Sequence, residues 1–188
     1  MLPASPLYTI ATLDIPAEQA RWIQNFRQAH DPHFKVVEPH FTLVFGIRDL
    51  AASVVLAHVA KVVAITQPIR FRCAYAMLGA DDIDDTAYVF LVPNEGNAEV
   101  SLLHDALYTG ELAPFLRLEF PYIPHITMAA SQDFRQAKRL CDQLNQEGVE
   151  VSGLLNALTV GVLRDGRFEA LRRFELGAAL QAGTGPLP

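Results

Sequence analysis

Apolar and polar positions along the chain change period repeatedly, and each change marks an element. Residues 8–13 read as a strand. Asp14-Ile15-Pro16 then opens a helix that carries Ala20, Trp22, Ile23 and Phe26. The turn-forming stretch 29–35 leads into a strand over 39–46 that ends at Gly46. Asp49 is the expected N-cap of a helix over 50–65, apolar around most of its circumference and so well buried. The β-rich runs 69–78 and 87–92 form a hairpin with an acidic tip, and a third amphipathic helix follows over 100–108. A short strand at 122–128 precedes a fourth helix, capped by Ser131 and stopped by Gly148. The runs 154–163 and 168–176 flank Arg164-Asp165-Gly166-Arg167, in which Asp-Gly is a strong hairpin signal.

Hairpins after the second and fourth helices do not fit an alternating βαβ sheet; the order is that of an α+β protein. It is also doubled. Each half carries a Pro-His-x-Thr strand, a helix directly after it and then a hairpin, at 40, 49 and 69–92 and again at 125, 131 and 154–176. The expected architecture is bilobal: two antiparallel lobes of about one hundred residues, related by an approximate two-fold, with helices outside and a central cleft. The lobes form a single domain over 1–181, and 182–188 is expected to be a flexible tail.

Composition narrows the function. With 51% hydrophobic and 19% charged residues, the 188-residue chain has ample apolar surface for a core. The balance of 15 Lys+Arg against 21 Asp+Glu lacks the positive excess that a long nucleic-acid footprint needs. A single phosphate or short nucleotide remains within reach of a few local donors. Cys73 and Cys141 have neither disulfide-framework nor zinc-site spacing and read as buried reduced thiols. No signal-like or membrane-spanning run is evident at the N-terminus or elsewhere, so a cytoplasmic protein, monomeric and without membrane contact, is expected.

The chemistry lies in the repeat. Two Pro-His-x-Thr matches in a chain with 12 Pro and 6 His arise by chance on the order of once in several thousand shuffles. Side chains alternate along a strand, so His40 and Thr42 share one face and Phe41 and Leu43 the other. His125 with Thr127, and Ile126 with Met128, divide in the same way. Two imidazoles facing each other across a phosphate form an acid–base pair: one neutral ring takes a proton while the other, protonated, gives one. The threonine hydroxyls would hold nonbridging phosphate oxygens. This scheme needs neither a metal nor a cofactor.

Pro39-His40-Phe41-Thr42-Leu43 and Pro124-His125-Ile126-Thr127-Met128 resemble the paired His-x-Thr motifs of the 2H phosphoesterases, the superfamily of 2′-5′ RNA ligase-like proteins and cyclic phosphodiesterases. The resemblance runs from 8 to 176 and includes the motif separation, the helix after each motif and the terminal hairpin. It implies a bilobal α+β fold with a central cleft. It also implies metal-independent hydrolysis of a 2′,3′-cyclic phosphodiester or related RNA-end phosphate, usually leaving a 2′-phosphate. RNA end joining and catalytically silent binding of nucleotides or RNA ends are the alternatives. The partner it implies is a small cyclic-phosphate nucleotide or a short RNA end. His40 and His125 are then the catalytic pair, and Thr42 and Thr127 bind phosphate; His125 as base and His40 as acid is the preferred assignment, although the approximate two-fold makes the two roles nearly interchangeable. Several relatives carry a basic residue after the second motif, where this chain has Met128-Ala129-Ala130. Phosphate affinity then falls to Lys35, Arg48, Arg70, Arg72 or an arginine of the final hairpin.

Other residues have plainer readings. His104 and His58 read as packed helix histidines, and His30 and His33 as rim residues of the cleft. Tyr122 is a candidate to stack a base or ribose, although an aromatic at a strand start is more often core. Asp81, Asp82, Asp84 and Asp85 lack the glycine and distal glutamate of a calcium loop and read as a solvated tip. A zinc site on His40 and His125 would lack an evident third ligand.

Overall fold

The structure is a computed structural model describing residues 5–80 and 85–177. Asp81, Asp82, Asp84 and the 182–188 tail lie outside the described residues. The order is β1 (Leu7–Thr12), α1 (Ala17–His30), β2 (His40–Ile47), α2 (Ala52–Ile65), β3 (Ile69–Ala80), β4 (Ala87–Glu95), α3 (Asn97–Leu107), a 3-10 turn (Gly110–Phe115), β5 (Ile126–Ser131), α4 (Phe134–Gln146), β6 (Val151–Leu155), β7 (Ala157–Arg164) and β8 (Arg167–Glu175). This is the expected α+β class. No helix among the described residues is long and apolar enough to cross a membrane.

The chain halves and the sheets do not coincide. One antiparallel sheet runs β2-β1-β7-β8 and the other β5-β4-β3-β6. The first half, β1-α1-β2-α2-β3 over 7–80, sends its last strand into the other sheet, where β3 pairs with β4 and β6; the second half, over 87–164, keeps β6 in that sheet and sends its last strand, β7, to pair with β1. The lobes are therefore interlocked rather than sequential. The helices cross in the same way, α1 packing near β5 and α3 near β2. The buried apolar side chains form one cluster that includes Phe41, Leu43, Phe71, Leu91, Ile126 and Leu158. Both motif strands, β2 and β5, are sheet edges.

Several boundaries move for identifiable reasons. The apolar run expected as one strand over 154–163 is two strands in different sheets, with Asn156 at the break. Its Nδ2 donates to Asp14, and its carbonyl accepts from the Leu176 N–H. Both strands are buried, so hydropathy gives no sign of the change of sheet. Helix α2 starts at Ala52 with Ala51 as N-cap and no side-chain cap, so Asp49 does not cap it. Asp133 rather than Ser131 caps α4, accepting from the Arg135 N–H, while the Ser131 hydroxyl accepts from Asp133 N–H and donates to Gln136. Gly148 ends that helix as expected: at φ +68° it lets Val149 N–H reach the Leu144 carbonyl. Strand β5 begins after His125 rather than at 122, because Pro124 has no N–H to offer a ladder. The Asp165-Gly166 turn forms with both residues at positive φ, as a two-residue hairpin loop requires.

Candidate active site

His40 and Thr42 lie half-buried on one face of β2 while Phe41 and Leu43 are fully buried beneath it. His125 and Thr127 are half-buried, with Ile126 and Met128 beneath them. Strands β2 and β5 lie against each other, and the two imidazoles are close enough that a charge on His125 disfavours one on His40.

Both rings are held alike. His40 Nδ1 donates to the Glu38 carbonyl at 2.7 Å, and His125 Nδ1 donates to the Ile123 carbonyl at 2.7 Å. A carbonyl can only accept, so the proton sits on Nδ1 and the Nε2 lone pair is left for chemistry. The Thr42 hydroxyl lies 3.1 Å from His40 Nε2 and donates to it. Burial pushes His40 down from 6.5 to about 4, with Arg27 and His125 adding in the same direction against the Glu38 hydrogen bond and Asp31. Burial also lowers His125, against its bond to Ile123. Burial thus favours the neutral form of each ring, and a nearby anion would favour the charged one.

The segment before each motif is anchored differently. Arg27 and Asp31, 2% and 3% exposed, form an ion pair at 2.9 Å. Arg27 also donates to the Val37 carbonyl, and Asp31 accepts from His33 N–H. That fixes the loop carrying Glu38. Before the second motif, Tyr122 stacks on His104 at 3.7 Å and its hydroxyl donates to the Thr42 carbonyl on the open edge of β2. Tyr108 accepts from Phe45 N–H on that same edge.

Two cavities lie on this side of the molecule, one with His125 in its wall and one with neither histidine. One, of about 420 Å³, contains His125, Thr127, Tyr122, Phe90, Phe120 and Arg117 in its wall. Here Phe90 stacks on His125, centroids 3.8 Å apart, and lies over Gly79, where a Cβ would come within 2.0 Å of its ring. The other, of about 570 Å³, has Thr12, Thr159, Lys35, Glu38, Arg167 and Phe168 in its wall. Thr12 is the cross-strand partner of His40, and Ile10 links Thr42 to Thr159. Its floor therefore continues the His40 face. The arrangement echoes the first cavity, since Phe168 lies over Gly161 as Phe90 lies over Gly79.

A family model described as the 2'-5' RNA ligase superfamily matches residues 15–167. The chain belongs to the 2′-5′ RNA ligase superfamily. Among solved structures, this superfamily member is similar to E. coli LigT complexed with NADP+ at 20% identity, with TM-score 0.57 over 92% of this chain and 98% of that one. TT0787 of Thermus thermophilus gives 18% identity and TM-score 0.58 over 92% and 98%. Kluyveromyces marxianus Usb1 gives 8% and 0.56 over 91% and 99%. At such identities the likeness is one of fold. No curated protein sequence matches this chain.

His104, read from sequence as a packed helix residue, is buried as expected yet lies in the wall of the His125 cavity. Tyr122 has one ring face covered by His104. Lys35 lines the other cavity, while Arg72 is paired with Glu150 and Glu95 and lines neither. His58 packs as expected, its Nε2 donating to the Leu107 carbonyl. Exposed His33 and half-buried His30 line neither cavity. Phe90 and Arg117 were missed. Phe90 is the cross-strand partner of Thr127, a relation visible only once the β4–β5 register is known.

Both cysteines are free and buried, as expected, and burial pushes the Cys73 thiol up to about 12. Among the described residues, no three His, Cys, Asp or Glu side chains are grouped to hold a metal.

Proposed function

We propose that this superfamily member hydrolyses a nucleoside 2′,3′-cyclic phosphate to the 2′-phosphate with His40 and His125 as the acid–base pair. The observation that carries the reading is the matched pair of imidazoles, each with Nδ1 fixed by a backbone carbonyl two residues back. LigT structures complexed with 3'-AMP and with phosphate support a small phosphorylated ligand for the shared fold. The surrounding chemistry also supports it: the Thr42 and Thr127 hydroxyls stand beside the rings as donors to nonbridging oxygens.

The aromatic cavity suits a nucleobase and adjoins His125. In a 2′,3′-cyclic nucleotide the base branches from C1′, the neighbour of the carbon that bears the 2′-oxygen. Placing the base there turns the 3′-oxygen toward His40. His125 Nε2 then takes a proton from water as its oxygen bonds to phosphorus, and protonated His40 gives a proton to the departing 3′-oxygen. The P–O3′ bond breaks, leaving a 2′-phosphate and a free 3′-hydroxyl. Entry of the phosphate anion favours the protonated form of His40 and offsets its low ground-state basicity. Phosphorus NMR of the four nucleoside 2′,3′-cyclic phosphates incubated with enzyme and EDTA tests this. Formation of 2′-phosphate is expected; intact substrate for all four, or a 3′-phosphate product, contradicts it.

A further inference from the structure

The cavity beyond His40 has no part in the chemistry just described, yet its floor is the same sheet face. Thr12 stands beside His40, and the row Thr42, Ile10, Thr159 runs across β2, β1 and β7 into it. One wall is the 34–38 loop and another is the start of β8; the two are joined by the Phe168 N–H to Val36 carbonyl bond at 2.8 Å. That bond brings Lys35 and Arg167, far apart in sequence, to one space. Both are exposed and neither has an ion-pair partner among the described residues. Glu38 is the carboxylate in the wall, leaving an excess of positive charge on a protein whose net charge is −6.

The chemistry of a cyclic nucleotide matches this asymmetry. With its phosphate at the dyad, the base leaves the ribose beside the 2′-carbon and the 5′-carbon leaves beside the 3′-carbon, so the two substituents diverge to opposite flanks. The first cavity's wall is mainly aromatic, with one cation, Arg117; the second also has apolar side chains, Phe34 and Phe168 among them, but adds two cations, Lys35 and Arg167, and the Thr12 and Thr159 hydroxyls. We propose that the Lys35–Arg167 cavity is a subsite for the 5′-phosphate of the nucleotide bearing the cyclic phosphate. The substrate class is then a 5′-phosphorylated nucleoside cyclic phosphate, free or as the last nucleotide of an RNA chain. This rests on the proposed orientation of the nucleotide at the dyad.

Binding of product-like ligands tests the subsite without turnover. Adenosine 2′,5′-bisphosphate is compared with adenosine 2′-phosphate by calorimetric titration at low salt, in the wild type and in Lys35→Gln/Arg167→Gln. Both residues are exposed, so the variant should fold; its circular dichroism and melting are checked alongside. The wild type is expected to bind the bisphosphate about tenfold more tightly, with the difference shrinking in salt and vanishing in the variant. Equal wild-type affinities, or a preference that survives both substitutions, overturns the subsite. A 5′-phosphorylated trinucleotide ending in a 2′-phosphate separates the two sources: tighter binding than the bisphosphate indicates a chain end, and equal or weaker binding a free nucleotide. Absence of turnover in the phosphorus NMR experiment counts against the proposed hydrolysis, whereas a wild-type bisphosphate preference that the double variant lacks would still identify the subsite.

Discussion

The hydroxyl of Tyr122 donates to the carbonyl of Thr42 across 3.0 Å, joining the approach to one motif to the open edge of the strand carrying the other. An edge strand has backbone groups with no ladder partner, and here one is taken by the opposite lobe. Tyr122→Phe removes that donor but keeps the ring on His104. The variant should lose about 1 kcal/mol of stability in urea unfolding and show a several-fold lower kcat, because the two motifs are no longer tied.

Gly79 lies beneath Phe90, whose ring in turn carries the His125 imidazole. Gly79→Ala would place a methyl within 2.0 Å of that ring, so Phe90 must move. The expected result is a kcat reduced about tenfold or more, since catalytic geometry tolerates little displacement. Steady-state kinetics on the cyclic nucleotide, with melting as a control, checks this.

The buried Arg27–Asp31 pair should behave as other such pairs do. Breaking it on one side, by Arg27→Met or Asp31→Asn, should cost about 3–5 kcal/mol, and replacing both residues by apolar ones considerably less. Urea denaturation of the three variants measures this. Where the single variants fold, their pH–rate profiles should move in opposite directions. Loss of the arginine charge raises His40, and loss of the aspartate charge lowers it further.

Both histidines are held below their ordinary value, and the linkage has a definite sign. The unfolded chain takes up protons near pH 6.5 that the folded site resists until about pH 4 at His40. Stability should therefore fall as pH drops through that window, by up to about 1.4 kcal/mol per pH unit for each histidine. His40→Gln should flatten the slope in urea titrations between pH 7 and 4. For turnover, kcat/KM should be bell-shaped with its maximum on the acid side of 6.5, because raising pH removes the proton the acid must donate. A flat profile from pH 5 to 9 would count against the dyad.

The motif residues were legible because a strand's period of two fixes which side chains share a face, and because His40-x-Thr42 recurs as His125-x-Thr127. The α+β class was legible from the hairpin turns, Asp165-Gly166 above all. The crossing of β3 and β7 between repeats was not. Pairing of distant strands leaves no local signal, and Leu155 and Leu158 are equally apolar though they belong to different sheets. For the same reason Phe90, His104 and Arg117 read as ordinary core or surface residues. Phe90 reaches His125 through the β4–β5 pairing, His104 through Tyr122, on which it stacks, and Arg117 through the segment leading into β5.

The central claim is that two histidines share the acid–base work, and one comparison tests it directly. Turnover of adenosine 2′,3′-cyclic phosphate in EDTA is measured for the wild type, His40→Ala, His125→Ala and the double variant. Each single variant should lose about 10²–10⁴-fold in kcat. The double variant should lose little more, because the pair acts as a unit. A substrate with sulfur in place of the 3′-oxygen needs no acid and should rescue His40→Ala alone. Turnover that survives either alanine substitution, or rescue of His125→Ala instead, would contradict the account.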